Sequence, residues 1–414
     1  TVLGSNNRCN PRRYHVGDDH EGQPVYRDVT DRCVAVAKRH QLDAIIVIGG
    51  DGTMAAASSL VEKGLNVIGV PKTIDNDIVG TEISFGFLTA VNTATDALDK
   101  LHSTADSHHR VMVCELMGRN AGWITLTAGV AGGADVILLP EIPFEMESVA
   151  QYVDERMNKG PGFAIVAVAE GARMRGGEQV VARMVHNSPD PVRLGGIGQR
   201  VADGLAKLCR VETRTTVLGH IQRGGTPIPA DRILATHFGY HAIQTLMNGG
   251  RNRMVVRQNN IFGDVDLLHS AGKQRLVPAA RALHHAGYAL VVVTNQGGVA
   301  RGKYDEAAVH ATHERLEQVL RRETGLTSVV DAFYFCPFHP EGTVERYRRE
   351  HPWRKPAPGM LLEAAREHGL DLATSWMVGD QERDAQAGAA AGCRSILIGA
   401  PSAASEADFF AHDL

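Results

Sequence analysis

The sequence predicts an α/β fold built on parallel sheets, and three observations carry that prediction. Short β-rich apolar runs alternate with helical stretches, the pattern of repeated βαβ units. Glycines gather where those runs end, as at Gly49-Gly50, where a strand hands over to a helix. With 414 residues, 43% apolar and 22% charged, the chain has the make-up of a globular protein and the length for two to three domains.

The elements follow in order. Residues 43–48 (DAIIVI) are a buried-strand run, 54–63 a helix and 65–70 the next strand. Strands recur at 111–115, 134–139, 163–169 and 215–218. A second series has a helix at 277–285, strands at 289–293 and 333–335, a helix at 357–368, and strands at 376–378 and 395–398. Between the two series lies 251–273, mixed in polar, Gly and Asn residues. A boundary near 268 gives two domains, 1–268 and 269–414. In such sheets ligands bind at the C-terminal ends of the strands.

Composition excludes several classes. A formal net charge of −4 gives no electrostatic case for nucleic acid or an anionic membrane. Six cysteines without a CxxC pair suggest neither a disulfide scaffold nor a zinc ribbon. No apolar run approaches the length of about 18 residues that a membrane helix needs, and the first residues carry no signal-peptide pattern. A reduced, cytoplasmic enzyme is expected.

Two motifs carry chemistry. Gly49-Gly50-Asp51-Gly52-Thr53 lies between a strand and a helix, where glycines admit phosphate oxygens and the helix N-terminus favours an anion. Asp51 can hold Mg²⁺ on those phosphates. The same arrangement serves equally as a tight turn with an aspartate cap. Downstream, Pro71-Lys72-Thr73-Ile74-Asp75-Asn76-Asp77 places two carboxylates at a strand end, pointing the same way if the chain stays extended. Phosphoryl transfer to a hydroxyl needs a carboxylate to accept the proton and cations around the phosphates. Asp75 suits the base, Asp77 a neighbour that tunes it, and Thr73 and Lys72 phosphate contacts.

With GGDGT and PKTIDND go HRVMVCELMGR (109–119), AEGA (169–172), RLGGIG (193–198) and ETRTTVLGHIQRGG (212–225). In these six motifs, residues 1–268 resemble the phosphofructokinase family. The resemblance implies Asp75 as catalytic base, Asp51 as the Mg²⁺ aspartate, and Thr73 and Arg119 on the transferred phosphoryl group. Met117, Gly118, Glu170, His220 and Arg223, with Asp77, belong to the fructose 6-phosphate side. Arg110 and Arg214 resemble arginines that reach a neighbouring subunit's sugar phosphate, which implies a homo-oligomer, dimer or tetramer, with a shared site. Their planar forks suit bidentate phosphate binding. Arg8, Gly50, Gly52, Thr53 and Lys72 fall on the donor side. In the family, Gly at the place of Gly52 leaves room for ATP, whereas Lys at the place of Lys72 is frequent where pyrophosphate is the donor. The direct steric argument at position 52 favours ATP. The family's first strand and its GGDxPGxN-type loop have no counterpart ahead of TVLGSNNR, so the donor half reads as incomplete.

A second set of fragments resembles the haloacid dehalogenase superfamily, nearest to heptose 1,7-bisphosphate and histidinol-phosphate phosphatases. VVVTNQGGVARG (291–302) carries Thr294 and Asn295, RKPAPGM (354–360) carries Lys355, and VGDQERDAQAG (378–388) carries Asp380 and Asp384. These are the superfamily's phosphate and Mg²⁺ positions, on a Rossmann-like domain. Of the zinc loop of those phosphatases Cys336 and His339 remain, while His351 and Trp353 stand where later cysteines would be. No zinc is expected. The DxD nucleophile has one candidate, Asp264-Val265-Asp266, but RQNNIFG before it is not an apolar strand. The segment reads better as the closing strand of the first domain. The expectation is therefore two truncated phosphoryl-transfer domains. The first is a 6-phosphofructokinase using ATP, or alternatively pyrophosphate, with Mg²⁺. The second lacks its nucleophile. A sugar-phosphate phosphatase run by that second domain, and a non-catalytic fusion, are the alternatives.

Overall fold

The apolar runs become strands, and the helices between them cover both faces of two sheets, the arrangement parallel sheets need. The computed structural model describes residues 10–184, 192–258, 260–278, 283–284, 287–324, 326–398, 405 and 407–411. Arg8 and residues 279–282 and 285 of the expected helix lie outside them. The chain divides into two units, Thr1–Val277 and Pro278–Leu414. Residues 269–277 stay with the first unit, past the 268 of the sequence reading. Their backbone is tied there, with Gln274 bridging to Ile78 and the Arg275 N–H donating to the Asp77 carbonyl at 2.6 Å.

Among the described residues the first unit holds two larger sheets and two two-stranded ones, Tyr14–Asp18 with Pro24–Arg27 and Val181–Met184 with Val192–Leu194. In one larger sheet, Ile45–Gly49, Val67–Thr73 and Arg253–Gln258 run parallel, and Ile261–Asp266 closes the edge antiparallel. Helix Asp51–Glu62 covers one face, where Met54, Ala57 and Val61 meet Val67, Met254 and Val256. Helix Pro229–Met247 covers the other through Leu234, Phe238 and Ala242 against Ile68, Val70 and Val255. Phe238 is fully buried, so truncating it to Ala costs about 4 kcal/mol. Ile46 and Ile48, on Ile45–Gly49, are exposed.

The other larger sheet of the unit is parallel throughout, in the order Thr213–Val217, Val111–Leu116, Ala164–Ala169, Val136–Leu138. Helices Met146–Lys159 and Ile197–Cys209 pack on one face through Val149, Val153, Val201 and Leu205. Helix Trp123–Ala131 lies on the other, with Gly129 so close to Ile137 that a Cβ would meet it at 2.8 Å.

The Asp264–Asp266 segment belongs to this unit, in the hairpin of Arg253–Gln258 with Ile261–Asp266. Asp264 pairs with Arg253, and the Asp266 carboxylate accepts from the Leu268 N–H at 2.8 Å to cap a short helix. These carboxylates are engaged as structural groups, on a strand paired with Arg253–Gln258.

The second unit contains two small parallel sheets. Val291–Asn295 pairs with Ala332–Cys336, and Trp376–Gly379 with Arg394–Ile398, which pairs in turn with Phe409–Ala411. Among the described residues, Val291–Asn295 and Trp376–Gly379 are each paired on one side alone. Helix Gly359–His368 packs Met360 and Ala364 on Tyr334 and Cys336.

Candidate active site

The C-terminal ends of the first unit's strands open into a cleft of about 1440 Å³. Asp51, Asp75, Asp77, Met117, Arg119, Glu170, His220 and Arg223 line it. Each sits just past a strand or at a helix start, where an α/β sheet exposes side chains to a ligand.

The GGDGT turn is built by close packing. A Cβ on Gly49 would meet the Thr53 side chain at 2.1 Å, and one on Gly50 would meet Thr73 at 3.4 Å. Thr53 therefore serves the turn itself. Among the described residues nothing lies within 4 Å of where a Cβ on Gly52 would be. Asp51 is the first residue of helix Asp51–Glu62, where the macrodipole favours a negative charge.

The chain does not stay extended through Asp75-Asn76-Asp77, contrary to the simplest reading of the motif. Asn76 takes a left-handed conformation at φ +53°, which an Asn tolerates because its amide bonds locally. Its carbonyl oxygen accepts from the Ser84 N–H at 2.9 Å, and its amide donates to the Glu82 carbonyl at 3.3 Å. The turn still leaves both aspartates on the cleft. The Thr73 hydroxyl donates to Asp75 at 3.3 Å and accepts from the Asp75 N–H at 3.2 Å. Burial pushes the Asp75 carboxyl up, against the pull of Arg223 and the Thr73 hydrogen bond. Asp77 is pushed up to about 7 by burial and by the charges of Asp51 and Asp75. Its Oδ1 is buried with no hydrogen-bond partner among the described residues. Burial and the charge of Glu115 raise Glu170 as well.

Around the far end of the cleft, backbone geometry explains the remaining motifs. Gly118 has φ +151°. A Cβ on Gly171 would overlap the Arg119 carbonyl at 1.8 Å, so AEGA needs its glycine. Met117 donates its N–H to Gln222 Oε1 at 3.2 Å, which ties the strand end to the turn Gly219–Arg223 that carries His220 and Arg223.

Lys72 is exposed and does not line the cleft, although its charge still pulls the Asp75 carboxyl down. Arg110 and Arg214 also lie off this chain's cleft. Both pair with Glu212, at 2.9 and 2.5 Å.

Two residues escaped the sequence reading. Glu115 accepts from the N–H groups of Gly196 at 3.1 Å and Gly198 at 2.8 Å, anchoring helix Ile197–Cys209 beside the cleft. Gly195 and Gly196, with φ +141° and +93°, make that approach sterically open, which accounts for RLGGIG. The available signal was a lone acid inside the buried run VMVCEL. The other residue is Gln274. Its Nε2 donates to Asp51 Oδ2 and Asp77 Oδ2, both at 3.0 Å.

In the second unit, Lys355 and Asn295 exchange hydrogen bonds, each amide donating to the other's carbonyl at 3.0 Å. Lys355 Nζ donates to the Val293 carbonyl at 2.9 Å and pairs with Asp384 at 2.6 Å. Asp384 also accepts from the Gln381 N–H at 3.0 Å, capping helix Glu382–Ala391. Thr294 accepts from the Gln296 amide at 3.2 Å, and Asp380 is exposed. His339 bonds to Arg301 at 2.8 Å, while His351 stacks on Phe338 with ring centres 4.3 Å apart.

Residues 1–246 match the family model for phosphofructokinase. The chain belongs to the phosphofructokinase family. Residues 352–411 match a second model, that of HAD-hydrolase-like proteins. ATP-dependent 6-phosphofructokinase 2 of Clostridium perfringens is 51% identical over 261 residues, covering 63% of this chain and 71% of the relative. A pyrophosphate–fructose 6-phosphate 1-phosphotransferase of Amycolatopsis methanolica is 43% identical over 281 residues, covering 68% of this chain and 78% of the relative. The solved pyrophosphate-dependent phosphofructokinase of Marinobacter aquaeolei shares the fold, with a TM-score of 0.53 at 22% identity over 63% of this chain and 69% of that one.

The phosphofructokinase unit offers Mg²⁺ a fitting pair of carboxylates. Asp51 and Asp77 both lie within reach of one nitrogen, and Asp77 keeps a buried oxygen unpartnered among the described residues. Among the described residues no three His, Cys, Asp or Glu side chains converge on one point. Two carboxylates are enough for a Mg²⁺ ion, which keeps several of its waters. Among the described residues, no helix is long and apolar enough to cross a membrane.

Proposed function

We propose that the chain acts as a 6-phosphofructokinase, transferring a phosphoryl group from ATP to the 1-hydroxyl of fructose 6-phosphate. The observation that carries this reading is the gathering of Asp75, Arg119, Glu170, His220 and Arg223 on one cleft. Sequence identity of 51% to an ATP-dependent 6-phosphofructokinase supports it. Asp75 takes the proton from the sugar hydroxyl as the oxygen attacks phosphorus and the bond to the ADP oxygen breaks. Its half-buried, raised carboxyl is a better proton acceptor than an exposed aspartate. Arg119 faces the transferred group, and His220, Arg223, Glu170, Met117 and Gly118 hold the sugar phosphate. Asp51 would hold Mg²⁺, which would supply neutralisation of the donor phosphates.

Among the described residues nothing crowds Gly52, which supports ATP as donor. Pyrophosphate is the second reading, supported by Lys72 and by the name of the Amycolatopsis relative, a pyrophosphate–fructose 6-phosphate 1-phosphotransferase. A homo-oligomer is supported by Arg110 and Arg214, which lie off this chain's own cleft. The exposed Ile233, Tyr240 and Met247 of helix Pro229–Met247 support it too. A cytoplasmic setting accords with Cys33, Cys114, Cys209, Cys336 and Cys393, all unbridged. A coupled assay with fructose 6-phosphate and either ATP or pyrophosphate tests the reading. Turnover with ATP supports it, and no turnover with either donor would sink it.

A further inference from the structure

The segment Lys273-Gln274-Arg275 lies at the Asp51–Asp77 end of the cleft and is fastened at its middle residue and just after it. Gln274 forms an antiparallel bridge with Ile78. The Arg275 guanidinium donates to the carbonyls of Asn76 at 2.8 Å and Glu82 at 2.9 Å and lies 4.1 Å from the centre of the Trp123 ring. The Trp123 indole N–H donates to the Arg275 carbonyl at 2.8 Å, and the Val277 N–H to Glu141 at 2.9 Å.

These anchors fix where the Gln274 amide sits. Nε2 is 3.0 Å from Asp51 Oδ2 and 3.0 Å from Asp77 Oδ2, two carboxylates from different elements. Oε1 is turned away, accepting from Asn120 Nδ2 at 2.9 Å. A group that presents positive character to two carboxylate oxygens at once does what a bridging cation does, without the charge. A divalent ion drawing on the same two oxygens must take the place of Nε2, because a cation and an amide N–H cannot share one oxygen-lined point.

We propose that Gln274 is a resident place-holder for the divalent cation. Its amide spans Asp51 and Asp77 in the unloaded enzyme, is displaced when the ion enters, and so sets how tightly the ion is held. The proposal rests on the reading of Asp51 as the cation aspartate. Gln274 is a positioning residue in this scheme: it acts through the two carboxylates, and its strong anchoring by Arg275 keeps it competing for them.

The test is Mn²⁺ binding to the full chain, without nucleotide or sugar phosphate, followed by the electron paramagnetic resonance of free Mn²⁺. Gln274→Ala removes the competitor and should tighten Mn²⁺ by at least about tenfold, because the two hydrogen bonds to the carboxylates no longer oppose the ion. Gln274→Glu cannot donate to the carboxylates and adds a third one, so it should tighten Mn²⁺ further. Unchanged affinity in both variants, with Mn²⁺ still lost in Asp51→Asn, would overturn the place-holder and leave the cation site standing. Weaker binding in Gln274→Ala would also overturn it, since the amide would then be a ligand. Mn²⁺ binding that ignores Asp51→Asn would overturn the reading of Asp51 and the proposal with it.

Discussion

The two units treat an aspartate beyond a strand end in opposite ways. In the first, Asp75 and Asp77 lie beyond Val67–Thr73, where burial and the charge of Asp51 push both carboxyls up, against the Thr73 hydrogen bond and Arg223 at Asp75 and the Gln274 amide at Asp77. In the second, Asp384 follows Trp376–Gly379 and is answered by Lys355 at 2.6 Å, which also serves the Val293 carbonyl. The first pair keeps unspent capacity to take a proton or a cation. The second is spent on holding the unit together. Similar placement at a sheet's end therefore says little about chemistry until the partners of each carboxylate are known.

The sharpest way to break this contrast is Asp75→Asn. The amide keeps the shape but cannot accept the proton, so kcat should fall by about 10³-fold while the KM for fructose 6-phosphate changes little. Steady-state kinetics that return a near-parental kcat would put Asp75 among the structural carboxylates.

Lys355→Met probes the other side. It leaves Asp384 buried, with side-chain exposure of 5%, and without its cation. The loss should be about 3–5 kcal/mol in the second unit, read by urea unfolding on Trp353 and Trp376 fluorescence. Phosphorylation of fructose 6-phosphate should be unaffected. A fall of under about 1 kcal/mol would mean that the pair contributes as little as an exposed one.

Glu317 sharpens the structural case through pH. Burial pushes its carboxyl up, but hydrogen bonds from Arg321 and from the N–H groups of Val329 and Val330 outweigh it, and the net direction is down. A carboxyl lowered in the folded state adds stability that is fully present above its unfolded value near 4.5 and is lost as pH falls through the lower folded value. Unfolding free energy should therefore drop below pH 4.5 in the parent and less steeply in Glu317→Gln. Parallel slopes would deny the effect.

The smallest effect concerns the donor. Lys72→Gly removes an exposed cation near Asp75 and should shift the ATP-to-pyrophosphate ratio of kcat/KM toward ATP by roughly tenfold or less. No shift in a pyrophosphate-only parent would overturn the weight placed on Gly52.

Much of this was legible in the sequence because it is local. Strand and helix order follows from apolar periodicity, and GGDGT, AEGA and RLGGIG announce places where a Cβ would collide or φ must be positive. What stayed hidden depends on distance along the chain. Gln274 reaches Asp51 across 223 positions and Asp77 across 197, and no local pattern marks a glutamine as the partner of two acids. Glu115 was visible only as an acid in an apolar run, with its acceptors' partners 81 and 83 residues on. The extended reading of Asp75–Asp77 failed at one residue, because Asn76 exchanges hydrogen bonds with the Glu82–Ser84 turn and adopts positive φ.

The most direct test follows phosphorus in the intact chain. With Mg²⁺ present, ³¹P NMR is recorded on fructose 6-phosphate plus ATP, and separately on heptose 1,7-bisphosphate and histidinol phosphate. If the first unit holds the working carboxylates and the second the structural ones, fructose 1,6-bisphosphate and ADP accumulate, and no inorganic phosphate leaves the other two substrates. Release of phosphate that is abolished by Asp380→Asn, with fructose 6-phosphate untouched, would contradict the account.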